Sequence, residues 1–191
     1  MPRVAKGDGK TNLAAFIPQS NLCEACRAVR RCWERRQDNA PETFEVCPTD
    51  RGKVRVSSKH GRNEKRENVR IATYLANKHG YEIDLIANPD NESSADSFNK
   101  TLGIIQEYKT NATPTKSAID NLIRKGAKQA RDLVLFVESS ISMDDLSSAL
   151  HNRVSRTKIH TVMVVIDGKD KTYSFAEIAE KGFKIRQADL E

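Results

Sequence analysis

Two apolar runs, Leu133 to Val137 and His160 to Ile166, constrain this chain more than any other feature. A strand that is apolar along its length has no face to offer water, so each run must lie inside a sheet that is covered on both sides. Helical periodicities supply the cover. From about Asn63 to His79, Ile71, Ala72 and Leu75 share one stripe, and Gly80 stands where such a helix would end. A second helix is expected from about Thr115 to Ala130, with Ile119, Leu122, Ile123, Ala127 and Ala130 inward, and a third over Asp144 to Val154. Val54 to Ser58, Tyr81 to Ala87 and Leu102 to Lys109 read as further strands, and Asn88 to Ser97 as a polar loop. Gly168 to Lys171 reads as a tight turn into Tyr173 and Phe175, before a short C-terminal helix. The pattern predicts an α/β fold, a central mixed sheet flanked by helices.

At 191 residues there is room for one main domain and an appendage. Residues 1–50 have little periodicity and hold all four cysteines, so they are expected to form an irregular, basic N-terminal segment ahead of an α/β domain at 51–191. Cys23-x-x-Cys26, Cys32 and Cys47 are enough thiols for a structural Zn²⁺, but a second close pair is missing, and disulfides or unconnected thiols remain open. No stretch approaches the ~18 apolar residues of a bilayer span, and the N-terminus lacks the apolar core of a secretory signal. The expectation is a chain that acts in the cytoplasm without a membrane, or a piece of something larger.

The net charge of +6 matters because of where it sits. Between Arg51 and Arg70 eight basic residues face only Glu64 and Glu67, and a second run holds Arg27, Arg30, Arg31, Arg35 and Arg36. Such clusters attract phosphate backbones through counterion release, and Arg62, Lys65 and Arg66 are the expected nucleic-acid contacts.

The chemistry is expected in Asp96 and in Glu107-Tyr108-Lys109, which closes an apolar strand. Residues two apart on a strand point the same way, so Glu107 and Lys109 project together from the rim of the core. Two converging carboxylates repel unless a cation lies between them, and Mg²⁺ or Mn²⁺ suits oxygen ligands. Such a pair beside an ammonium has the parts for phosphodiester hydrolysis.

Asp96, ten intervening residues, then Glu107-Tyr108-Lys109 resembles the signature of the PD-(D/E)xK nuclease superfamily. The resemblance implies a restriction-endonuclease-like sheet, Asp96 and Glu107 as metal ligands and Lys109 orienting the attacking water. It also implies a glutamine from the following helix, for which Gln129 lies about 80° from Ile119 on a helical wheel. A glutamate from the preceding helix is expected as well. Glu64 lies about 20° from Ile71 and Glu67 about 40° to the other side, so Glu64 is the slightly better placed, contributing directly or through water. A literal Pro89-Asp90 also occurs, and Asp96 is preferred to Asp90 because it is nearer the strand. The order Ile71-Ala72, Tyr81 to Ile86, Ala95-Asp96, Glu107-Tyr108-Lys109, Lys128-Gln129-Ala130, Leu133 to Val137 further resembles the C-terminal toxin domains of contact-dependent growth inhibition and related phage or mobile-element proteins. Many of those are tRNA nucleases, so this resemblance implies a tRNA or other nucleic-acid substrate, an immunity protein as partner, and delivery within a larger secreted or phage protein.

Two other readings compete. His60 or His151, each near arginines, suits a metal-independent, barnase-like ribonuclease in which histidine is the general base, with exposed bystander histidines as the plainer alternative. A non-catalytic nucleic-acid-binding phage or mobile-element module would bind in a salt-dependent way without cleaving.

Overall fold

The runs at Leu133 and His160 become neighbouring parallel strands in the interior of a mixed sheet, shown by a computed structural model that describes residues 42–88 and 94–191. Residues 1–41 of the predicted appendage, with Cys23, Cys26 and Cys32, and the alternative ligand Asp90 lie outside the described residues. Among the described residues the strands are β1 (Phe44–Cys47), β2 (Lys53–Ser57), β3 (Glu82–Leu85), β4 (Ser97–Asn99), β5 (Ile104–Asn111), β6 (Asp132–Val137), β7 (Thr161–Ile166) and β8 (Lys169–Ser174). They stand side by side in sequence order. Pairs β2–β3, β5–β6 and β6–β7 are parallel, and the other neighbours are antiparallel. β1, at the edge of the sheet, is drawn from the residues before position 50.

The helices are α1 (Lys65–His79), α2 (Lys116–Gly126), α3 (Met143–Val154) and the short α4 (Phe175–Ala179). Alternation along the interior strands gives each face its own core. Val134, Phe136, Met163 and Val165 pack with Ile71, Ala72 and Leu75 of α1. On the other face Leu133, Leu135, Val162 and Val164 pack with Ile119 and Ile123 of α2 and Leu146 and Leu150 of α3. Helix ends follow local chemistry. Thr115 and Ser142 accept from the amides of Ala118 and Asp145 at the starts of α2 and α3, and Ser174 with Glu177 makes a capping box for α4. Gly80 ends α1 in the left-handed conformation (φ 73°), as its position predicts.

Three elements differ from expectation. Ser97 belongs to a strand, β4, whose three polar-flanked residues carry no periodicity to betray it. α2 stops at Gly126, and residues 127–129 turn away instead of continuing to Ala130. The turn near Gly168 lies one residue earlier, at Asp167 and Gly168, both with positive φ, which lets Lys169–Ser174 pair back on β7 as a hairpin.

Candidate active site at the seam between two strands

β4 pairs with β5 only as far as Ser97 opposite Gln106, whereas β5 runs on along β6 to Asn111. Beyond that point no described strand pairs with that edge of β5. Asp96, one residue before β4, fills the first gap: its Oδ2 accepts the backbone amide of Tyr108 at 2.7 Å, and its Oδ1 accepts Asn68 Nδ2, from α1, at 2.8 Å. Extending the pairing register by one residue sets Asp96 opposite Glu107.

Glu107 is wholly buried, with 0% of its surface exposed. Its Oε1 pairs with the Lys109 ammonium, two residues along the same strand, while Oε2 is buried with no hydrogen-bond partner. Burial above all, then the charge of Asp96, pushes the Glu107 carboxyl up to about 9 against the opposing pull of Lys109. Burial also raises Asp96, opposed by the Tyr108 amide, Lys109 and Asn68 and reinforced by Glu64. The arrangement therefore lacks one positive charge. A proton on Glu107 would supply it by letting Oε2 share with Asp96; a bound cation would supply it better, because both carboxylates could then stay ionised. The expected trio of Asp96, Glu107 and Lys109 is thus brought together on one seam.

Close packing against α2 fixes Glu107. A Cβ added at Gly126 would lie in ordinary contact with Glu107 Cγ, at 3.4 Å, but 2.8 Å from Leu133 Cδ2 of β6, so glycine lets α2 end close to both strands without displacing Leu133. Gln129 then leaves the helix, and its Nε2 donates to Ser94 O at 3.0 Å, tying the α2 turn to the backbone that leads into Asp96. It makes no bond to either acid.

The two helix glutamates part company. Glu67 accepts from Arg70 at 2.5 and 3.2 Å and from the Thr110 hydroxyl, and Arg70 in particular holds its carboxyl below the ordinary value. Arg70 also reaches Glu138 at 2.7 Å, so Glu67 is committed to an ion network. Glu64 is the N-cap residue of α1 and is exposed, not on the buried stripe that the wheel gave it. Its charge still adds a little to the upward shift of Asp96. Arg62 and Arg66 are exposed nearby in sequence, while Lys65 is paired with Glu45 at 3.2 Å.

Sequence reasoning missed Asn68 and misjudged His60. Asn68 lies on the stripe of Ile71, Ala72 and Leu75, and a polar residue at i, i+3, i+4, i+7 spacing with a core face was the available signal. His60 is not exposed. It is 5% accessible, with Nδ1 2.6 Å from Ile86 O and Nε2 3.0 Å from Asn68 Nδ2. With both ring nitrogens occupied it has none to offer a ribose hydroxyl, which removes it as a general base in this conformation. His151 is half-buried, its Nδ1 held 2.7 Å from Ile178 O.

Among the described residues no cluster of three or more histidine, cysteine, aspartate or glutamate side chains is arranged to hold a metal ion. A cation at the seam would draw on Asp96 and Glu107, with water or backbone oxygen completing its shell, which is the habit of Mg²⁺. The unpartnered Glu107 Oε2 fits that role. Of the four proposed zinc thiols the described residues contain Cys47, half-buried at the end of β1. No described helix is long and apolar enough to cross a membrane.

No protein-family model matches the chain, and no curated protein does. Among solved structures it is similar to one described as the CdiA-CT/CdiI toxin and immunity complex from Burkholderia pseudomallei, at a TM-score of 0.46 and 18% sequence identity. The similarity covers 62% of this chain and 98% of that one. At that level it adds nothing to what the residues themselves say about activity.

Proposed function

We propose that the chain is a metal-dependent nuclease of the PD-(D/E)xK type, hydrolysing phosphodiester bonds of tRNA or another nucleic acid. The observation that carries this reading is the buried Glu107 oxygen without a donor, facing a second carboxylate beside an ammonium. A buried acid held in that way is costly to a fold that gains nothing from it. In the reading, Asp96 and Glu107 hold Mg²⁺ or Mn²⁺. The bound cation would supply Lewis acidity for the scissile phosphate and for a water nucleophile. Lys109, anchored by Glu107, orients that water and offsets charge as it builds on phosphorus. Gly126 and the Tyr108 amide keep the two acids from drifting apart, and Gln129 steadies the backbone before Asp96.

The substrate would be gripped from both sides of the seam. Arg62 and Arg66 are exposed before and within the first turn of α1, and Arg124, Lys125 and Lys128 are exposed at the end of α2, beside the glycine that touches Glu107. Exposed cations on both helices would draw a phosphate backbone toward this part of the surface.

The resemblance of the motif order to growth-inhibition toxin domains extends the proposal to a toxin-type effector, carried into a target cytoplasm by a larger protein and neutralised by an immunity protein. Incubating the protein with total tRNA and with plasmid, with Mg²⁺ or with EDTA, tests the activity. The expected result is cleavage that needs the cation and disappears in Glu107→Gln, whose binding of nucleic acid persists. Cleavage that survives EDTA would favour the metal-independent scheme, and salt-dependent binding without any cleavage would favour the non-catalytic module.

A further inference from the structure

A line of three hydrogen bonds runs through the buried interior from the backbone of residue 86 to Asp96. Ile86 O lies 2.6 Å from His60 Nδ1, His60 Nε2 lies 3.0 Å from Asn68 Nδ2, and Asn68 Nδ2 lies 2.8 Å from Asp96 Oδ1. The direction of each bond follows from what the ends can do. A carbonyl only accepts, so Nδ1 carries a proton, and Nε2, which faces an amide nitrogen that only donates, keeps its lone pair. An ionised carboxylate likewise only accepts, so the Asn68 amide must turn its nitrogen, not its oxygen, toward Asp96. Both amide protons are then spent, one on Asp96 and one on His60. Turned over, the amide would set its oxygen against the carboxylate.

The geometry points to His60 and Asn68 as a positioning relay that fixes the Asp96 carboxylate for cation binding, a step that rests on the nuclease reading only for the cation. A fold that merely needed these positions filled would do as well with apolar side chains. Asn68 replaces a hydrophobic residue on the inward stripe of α1, and His60 is 5% exposed, so both carry a desolvation cost that only their mutual bonds offset. The bonds end on Asp96, whose second oxygen is already taken by the Tyr108 amide. Held at both oxygens, Asp96 cannot rotate, and its remaining lone pairs are left for a shared ion. The relay also joins three parts of the chain, the turn after β2, α1 and the lead-in to β4, so the acid is set by tertiary structure and not by its loop. Buried partners of metal ligands act in this way, and their loss typically weakens metal binding by about 10- to 100-fold.

The test uses the full chain and Mn²⁺ as the probe ion, with affinity read by electron paramagnetic resonance. A glutamine at position 60 places its amide near where Nε2 stood and can still accept from Asn68, whereas an asparagine reaches only as far as Nδ1. His60→Gln is therefore expected to bind Mn²⁺ within about threefold of the parent, and His60→Asn and Asn68→Leu about 10- to 100-fold more weakly. In the metal-free proteins the Tyr108 amide should exchange with solvent faster in the last two and not in the first. The unsubstituted protein should show the Nδ1-protonated tautomer of His60 in ¹⁵N spectra, a readout that holds even if a variant fails to fold. An Nε2-protonated His60, or equal behaviour of the Gln and Asn variants, overturns the relay. Absence of Mn²⁺ binding by the parent would defeat the cation reading alone, since the tautomer and the Tyr108 amide still decide whether the relay exists.

Discussion

Glu107→Gln should make the metal-free protein more stable at neutral pH while destroying its activity, because the same burial that tunes the carboxyl for a cation penalises its charge. In the unfolded chain Glu107 titrates near its ordinary value of 4.5; in the fold it is pushed up to about 9, by burial first and Asp96 second. Between those two values the folded state holds a proton that the unfolded state has lost. Stability is therefore fully present below 4.5 and declines as pH rises toward 9, at about 1.4 kcal/mol per pH unit. By pH 7 the accumulated loss is at most about 3.5 kcal/mol. Glutamine mimics the protonated acid, with its oxygen toward Lys109 and its amide toward Asp96, and it does not titrate. Urea unfolding in EDTA at pH 4, 7 and 9 should thus show the two proteins alike at pH 4, with the variant gaining as pH rises. Added Mg²⁺ should stabilise the parent and leave the variant unchanged. Parallel pH profiles, or a variant that is less stable at pH 9, would refute the assignment of Glu107 as a buried acid awaiting a cation.

Other outcomes follow from neighbouring contacts. Asp84, 1% exposed, is gripped by Arg55 at 2.7 and 2.5 Å and more loosely by Lys100 at 3.8 Å, so Arg55→Ala should cost about 1 to 3 kcal/mol by leaving a buried carboxylate with the weaker partner, measured as a lower urea midpoint. Gly126→Ala places a methyl 2.8 Å from Leu133 Cδ2; overpacking of about 1 to 3 kcal/mol should outweigh the gain in helix propensity, and Mn²⁺ affinity should fall as Glu107 shifts. Joint replacement of Lys125 and Lys128 by alanine should leave the metal affinity unchanged and flatten the salt dependence of tRNA binding by about two in the logarithmic slope. An unchanged slope would remove the end of α2 from the interface.

How much of this could be read in advance depended on distance along the chain. The interior strands were legible because Leu133 to Val137 has no polar face, and α1 because Ile71, Ala72 and Leu75 repeat at helical spacing and Gly80 stops them. The acids were legible as well, since Glu107 and Lys109 share a face by simple alternation and Asp96 follows a loop. β4 was not, because three residues are too few to show a period and its pairing is supplied by β3 and β5. Gln129 was placed by a helix that in fact ends at Gly126, where the approach to Glu107 and the following turn decide the geometry. Asn68 and His60 could not be linked to Asp96 from sequence, since bonds across 28 and 8 residues depend on the packing of α1 on the sheet. Glu64 shows the limit of a helical wheel, which assigns a face to a residue that sits at the cap, where the side chain is in solvent.

The proposed chemistry requires that one divalent ion be shared by two acids at the β4–β5 seam. Anomalous diffraction from a crystal grown with Mn²⁺ reads this directly. A single peak within bonding distance of both the Asp96 and Glu107 carboxylates, absent in Glu107→Gln, is the expected result. A cleaving enzyme whose crystal shows no manganese between those side chains, or shows it bound at other residues, would contradict it.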